Sequence, residues 1–206
     1  IFVAGSVGPT GEIMHPIGEL SHKIAVEVFH EQAQGLKEGG ADLIWVETIS
    51  APEEFRAAAE AFSYIDLPWV GTMSFDTAGR TMMGTSPTAM VDLISSIPNK
   101  PIAFGANCGT GASDLLRTIQ EFKKSSSDNI LVAKGNAGIP RYVNGHIKYD
   151  GTPELMAKYA IMARNSGAKI IGGCCGTKPE HLLAMRASLE GEKLGNSPSL
   201  EQVELE

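Results

Sequence analysis

Six times along this chain a short apolar run gives way to a stretch whose apolar residues recur at helical spacing. The runs fall at residues 1–4, 41–46, 69–75, 102–108, 130–134 and 169–171, and 1–4 reads as a short buried strand. The helical stretches cover about 21–37, 51–62, 86–96, 113–124 and 153–165, with a last one after residue 177. In the first of them Ala25, Val28, Phe29, Ala33 and Leu36 share one face. Gly39-Gly40 and Gly167 stop two helices and start two strands. Strand–helix alternation predicts an α/β fold with a parallel sheet. An open doubly wound sheet or a closed (β/α)8 TIM-type barrel would satisfy it. A barrel takes about 250 residues, roughly 30 per unit. Six units, with a chain opening on Ile1 inside an apolar run, read as a barrel lacking its first two βα units.

Composition narrows the partners. The 206 residues carry a net charge of -7 and no run of Lys or Arg, which argues against nucleic acid. No apolar stretch nears the roughly 18 residues that a membrane helix needs. Three cysteines, an odd number without the spacing of a disulfide framework, fit a reducing cytoplasm. Residues 1–190 are expected to form the barrel domain, and the Gly-, Ser- and Glu-rich residues 191–206 a loose tail.

All three thiols fall where predicted strands end and helices follow: Cys108 in Gly105-Ala106-Asn107-Cys108-Gly109, and the pair in Gly172-Gly173-Cys174-Cys175-Gly176. Parallel α/β folds place their chemistry at those ends. Adjacent side chains in a regular strand point to opposite faces. The flanking glycines let the chain leave strand geometry, so both sulfurs can turn toward one point. Two neighbouring ligands and a third far away is a site assembled by the fold, unlike the C-x2-4-C pairs of zinc fingers. Three thiolates leave Zn2+ electron-rich, a poor activator of water but a good holder of an incoming thiolate. That set with one open position favours alkyl transfer to a thiol. The competing reading is three buried structural cysteines, since free Cys is among the most buried residue types; a vicinal disulfide at Cys174-Cys175 is a further option.

The segments Gly-Ala-Asn-Cys-Gly at 105–109 and Gly-Gly-Cys-Cys-Gly-Thr-Lys-Pro-Glu-His at 172–181 resemble the two zinc motifs of homocysteine S-methyltransferases. That family includes the homocysteine-binding domain of cobalamin-dependent methionine synthase and betaine-homocysteine methyltransferase. Residues 3–10, Glu47-Thr48 and Asn136-Ala137-Gly138 match as well. The resemblance implies a (β/α)8 barrel with two further βα units ahead of those seen here. It implies transfer of a methyl group to the thiol of homocysteine, giving methionine. Cys108, Cys174 and Cys175 would bind Zn2+ and Glu47 the homocysteine ammonium. Asn136 would lie near the metal as a weak fourth ligand until substrate displaces it. The implied partners are homocysteine and a methyl donor: a methylcorrinoid protein, betaine or S-methylmethionine. Betaine-specific members carry Tyr after the matching Glu, and here Thr48 stands there, which counts against an aromatic cage for a quaternary ammonium.

Two other functions compete. One is a non-catalytic zinc- or homocysteine-binding module of a larger methyltransferase assembly. The other is a dinucleotide oxidoreductase using Gly109-Thr110-Gly111, although Asp114 breaks the G-x-G-x-x-G fingerprint. Tyr142, His146 and Tyr149 sit in a long strand-end loop where they could line the donor side, although the reading as ordinary loop residues is favoured over that. His181 reads as a supporting side chain, and Thr177 with Glu180 has the spacing of a capping box.

Overall fold

The computed structural model describes residues 1–125, 128–199 and 201–203. Six strands form one sheet: β1 (Ala4–Val7), β2 (Leu43–Ile49), β3 (Trp69–Met73), β4 (Ala103–Cys108), β5 (Leu131–Gly135) and, after a small hairpin, β8 (Ala168–Gly173). Every pairing is parallel and every strand lies beside the next in the chain. A doubly wound sheet reverses its strand order at a switch point. No reversal occurs here, so the winding is that of a TIM-type barrel wall, with β1 and β8 at its two edges.

The helices α1 (His22–Glu38), α2 (Pro52–Phe62), α3 (Pro87–Ser96), α4 (Ala112–Ser125), α5 (Pro153–Asn165) and α6 (Pro179–Gly191) connect or follow these strands. Polar N-caps start three of them: Ser21 Oγ accepts from Ile24 N–H, Ser86 Oγ from Ala89 N–H and Thr152 Oγ1 from Leu155 N–H. Pro at the first turn of α3 and α5 gives up an amide that has no helical partner in any case. α6 differs from its expected cap. Lys178 is the N-cap, and its N–H donates to His181 Nδ1 at 2.8 Å, so the box joins 178 and 181 rather than 177 and 180.

The two faces of the sheet differ, as period-two alternation requires. Ile44, Val46, Met73, Phe104, Leu131 and Ala133 face the helices and join the main core with Phe29, Phe55, Phe62, Phe122 and Tyr159. Val70, Ala103 and Val132 point the other way into a second, smaller cluster with Leu43, Trp45 and Ile170. On that inner face space is tight. A Cβ at Gly105 would come within 2.0 Å of the Val132 carbonyl oxygen, so only glycine lets β4 and β5 approach there.

Three expectations change. Residues 1–3 are exposed, at 123%, 83% and 59%, and the first strand begins only at Ala4, opposite Leu43. The long loop after β5 contains an antiparallel hairpin, β6 (Arg141–Val143) and β7 (His146–Lys148). Residues 192–198, expected to be loose, lie along the helices. Arg164 donates to the carbonyls of Glu192 and Lys193, Asn165 accepts from Gly195 N–H, and Gln120 donates to Pro198 O.

Candidate metal centre

The three sulfur atoms lie within 4.8 Å of one another. Cys108 is the last residue of β4 and holds a left-handed φ of 60°. Cys174 follows β8 directly, and its N–H donates to Gly135 O at 2.7 Å. Gly176 (φ 75°) then turns the chain so tightly against Tyr149 that a Cβ there would sit 2.3 Å from the Tyr149 Cβ. The Cys108 and Cys175 sulfurs are 3.8 Å apart, with no disulfide among the three. Two thiolates about 2.3 Å from one tetrahedral zinc ion stand about 3.8 Å from each other. The geometry and the softness of the donors therefore fit a shared thiophilic ion.

Two buried asparagines hold the cysteine loops. Asn136, 1% exposed, donates from Nδ2 to Gly109 O (2.9 Å) and accepts at Oδ1 from Cys175 N–H (3.0 Å). One amide thus ties the loop after Cys108 to the loop of the cysteine pair. Asn107 is fully buried. Its Oδ1 accepts from Thr48 N–H (2.9 Å) and Thr72 Oγ1–H (2.7 Å), while its Nδ2 donates to Thr48 Oγ1 (2.8 Å) and lies 3.8 Å from Cys174 Sγ. Thr48 has φ 64°. A positive φ in a β-branched residue is strained by about 1–3 kcal/mol and persists only where neighbours impose it; Asn107 supplies that restraint.

Backbone bonds continue the scaffold. Ala137 N–H donates to Cys175 O and Gly151 N–H to Ala137 O, both at 2.9 Å. His181 reaches Gly151 O through Nε2 at 3.0 Å. With Nδ1 accepting from Lys178 N–H, Nε2 is the nitrogen that donates to the Gly151 carbonyl. His181 is thus a supporting side chain, as its position in the sequence implies.

The thiols do not ionise alike. Hydrogen bonding from Cys108 holds the Cys174 thiol down to about 5, with Asn107 and the Lys134 ammonium acting the same way against burial. Cys108, as the donor to that thiolate and itself partly buried, is pushed up. Tyr149 is pushed up to about 12 by desolvation and then by its hydrogen bond to Cys175. A thiolate is the reactive form. Metal-free, reduced protein treated with iodoacetamide near pH 6 is therefore expected to carry the label first on Cys174. Peptide mass analysis reads this directly, and prior labelling of Cys108 would contradict it.

Glu47 lies two residues before the end of β2, at the same end of the sheet. Its Oε1 accepts from Ser6 Oγ–H at 2.6 Å, and its Oε2 pairs with the Lys134 ammonium. Lys134 also sits over the Trp45 ring, 5.4 Å from its centroid. Among the residues expected to form a site, Cys108, Cys174, Cys175 and Asn136 meet, and Glu47 lies nearby with an ammonium partner from its own chain. Asn107 and Lys134 escaped the sequence reading, and Tyr149 enters it only as a loop residue that could line the donor side. Asn107 adjoins Cys108, and Lys134 stands out as the charged end of an apolar run, which are the only cues the sequence offers.

Residues 1–189 match the homocysteine S-methyltransferase family. In structure the chain is similar to the Escherichia coli homocysteine methyltransferase MmuM. The apo form aligns with a TM-score of 0.74 at 25% identity, covering 91% of this chain and 62% of that one. The metallated and oxidised forms align at 0.69 and 0.68, with 25% and 26% identity and 61% of that chain covered. The chain thus spans about three fifths of the length of the enzyme it matches. It belongs to the homocysteine S-methyltransferase family.

Proposed function

We propose that this chain carries the thiol-activating site of a zinc-dependent homocysteine S-methyltransferase. The observation that carries the reading is the meeting of three sulfurs, two from 174–175 and one from 108, within 4.8 Å. The family match and the similarity to a homocysteine methyltransferase known in a metallated form support it.

Cys108, Cys174 and Cys175 would hold the zinc ion, which when bound keeps a substrate thiol as an electron-rich thiolate at neutral pH. Asn136 and Asn107 keep the cysteine loops in register and save the ion the work of ordering them. Glu47 is the acceptor for the homocysteine ammonium. The sulfur of homocysteine then forms a bond to the methyl carbon while the bond from that carbon to the donor breaks, and methionine leaves.

The donor is proposed to be a methylcorrinoid protein or S-methylmethionine rather than betaine. Thr48 offers no aromatic wall, and its hydroxyl and amide are both engaged by Asn107. Zinc-loaded protein should be incubated with homocysteine and, separately, methylcobalamin-loaded corrinoid protein, S-methylmethionine and betaine. Methionine is expected from one of the first two and at least about tenfold less from betaine. If no donor yields methionine, the catalytic reading fails and the chain is a binding module.

A further inference from the structure

The Glu47–Lys134 ion pair spans the inner face of the sheet, from the end of β2 to the end of β5. Its members are well shielded, with 16% and 23% of their side chains exposed. Lys134 lies opposite Gly172 in the β5–β8 pairing, two residues before the cysteine pair. Gly172 lies against the lysine stem: the atom closest to an added Cβ there would be Lys134 Cγ, at 3.6 Å, an ordinary van der Waals contact. The pair therefore stands beside the sulfur cluster, with its cation on the cysteine side.

Building on the function proposed above, we infer that Lys134 is the carboxylate-binding residue of the amino-acid subsite and occupies Glu47 only until substrate arrives. A thiol amino acid presents an ammonium and a carboxylate on one carbon. A carboxylate from β2 and an ammonium from β5, meeting across the inner face over β3 and β4, are the complementary receptor. Glu47 takes the ammonium, Lys134 takes the carboxylate, and the net charge of the site does not change. Pairing with each other spares two shielded charges from standing alone in the free protein. Trp45, beneath the Lys134 ammonium, gives the released side chain a surface to rest on. The consequence is selectivity: a thiol with an ammonium but no carboxylate must break the Glu47–Lys134 pair and leaves Lys134 without an anion.

The test is calorimetric titration of zinc-loaded wild type, Lys134→Met and Lys134→Arg with homocysteine and with its decarboxylated analogue, aminopropanethiol. Removing one partner of a shielded charge contact typically changes affinity by tenfold or more. Lys134→Met is expected to weaken homocysteine at least about tenfold while the analogue binds as well as, or better than, to wild type. Lys134→Arg should keep homocysteine within about threefold of wild type. Equal weakening of both ligands by Lys134→Met, or unchanged homocysteine affinity, would overturn the inference. If wild type binds neither thiol, the homocysteine reading itself falls and this inference with it.

Discussion

Cys174→Ala is expected to abolish zinc binding and methyl transfer together while leaving the fold in place. The size of the effect follows from the ligand count. Structural zinc sites with four protein ligands are worth about 10–16 kcal/mol, roughly 3–4 kcal/mol per ligand. Losing one of three thiolates should thus weaken the metal on the order of a thousandfold, with activity falling at least as far. The fold should barely notice. Cys174 lies beyond the last residue of an edge strand and is only partly buried, so truncation removes little packing. The measurement is a pair of thermal melts with and without zinc, together with far-ultraviolet circular dichroism. Wild type at a thousandfold excess of zinc over its dissociation constant should gain about 4 kcal/mol by mass action. The alanine variant should melt near metal-free wild type and gain almost nothing. A variant that melts early yet still responds fully to zinc would mean that the three thiols are ordinary core.

What could be read in advance depended on whether the signal was local. Glycine stops, apolar runs and strand-end cysteines are local, and they led to six βα units and to the three thiols. Residues 1–3 misled because an apolar run does not say where pairing begins. The partner strand starts at Leu43, so the ladder can start only at Ala4, while Val3 N–H turns aside to the Asp42 carboxylate. The hairpin had a local sign that went unused: Asn144-Gly145, both at positive φ, is the dipeptide that tight two-residue hairpin turns select. The docking of residues 192–198 had none, since it rests on Arg164, Asn165 and Gln120 meeting backbone carbonyls and an amide at least 28 residues away. The supporting shell of the sulfur cluster had little more: Asn107 adjoins Cys108 and Lys134 is the charged end of an apolar run, but their partners are distant. Asn107 meets Thr48 across 59 positions and Lys134 meets Glu47 across 87, and neither distance leaves a trace in composition or periodicity.

That dependence on distant partners makes Asn107→Ala the most damaging change predicted away from the metal ligands. The substitution deletes one acceptor that serves two donors, the Thr48 amide and the Thr72 hydroxyl, and one donor to Thr48 Oγ1. Each buried group left without a partner costs about 1–3 kcal/mol. The strained φ of Thr48 also loses its restraint. A loss of about 3–5 kcal/mol is expected, seen as a lower urea midpoint with an unchanged slope. Cys108 is the next residue in the chain, and the Cys174 sulfur faces the same amide, so zinc affinity should fall about 10–100-fold as well. Asn107→Asp separates the two effects. It keeps the acceptors for Thr48 and Thr72, so less stability should be lost. It removes the N–H that faces Cys174 and puts a carboxylate beside the thiols, which raises the Cys174 thiol from about 5. Its alkylation near pH 6 should then slow relative to wild type. Should Asn107→Ala unfold at the wild-type urea midpoint, the buried amide does not hold the strand ends together, and the preorganised arrangement of the three sulfurs needs another cause.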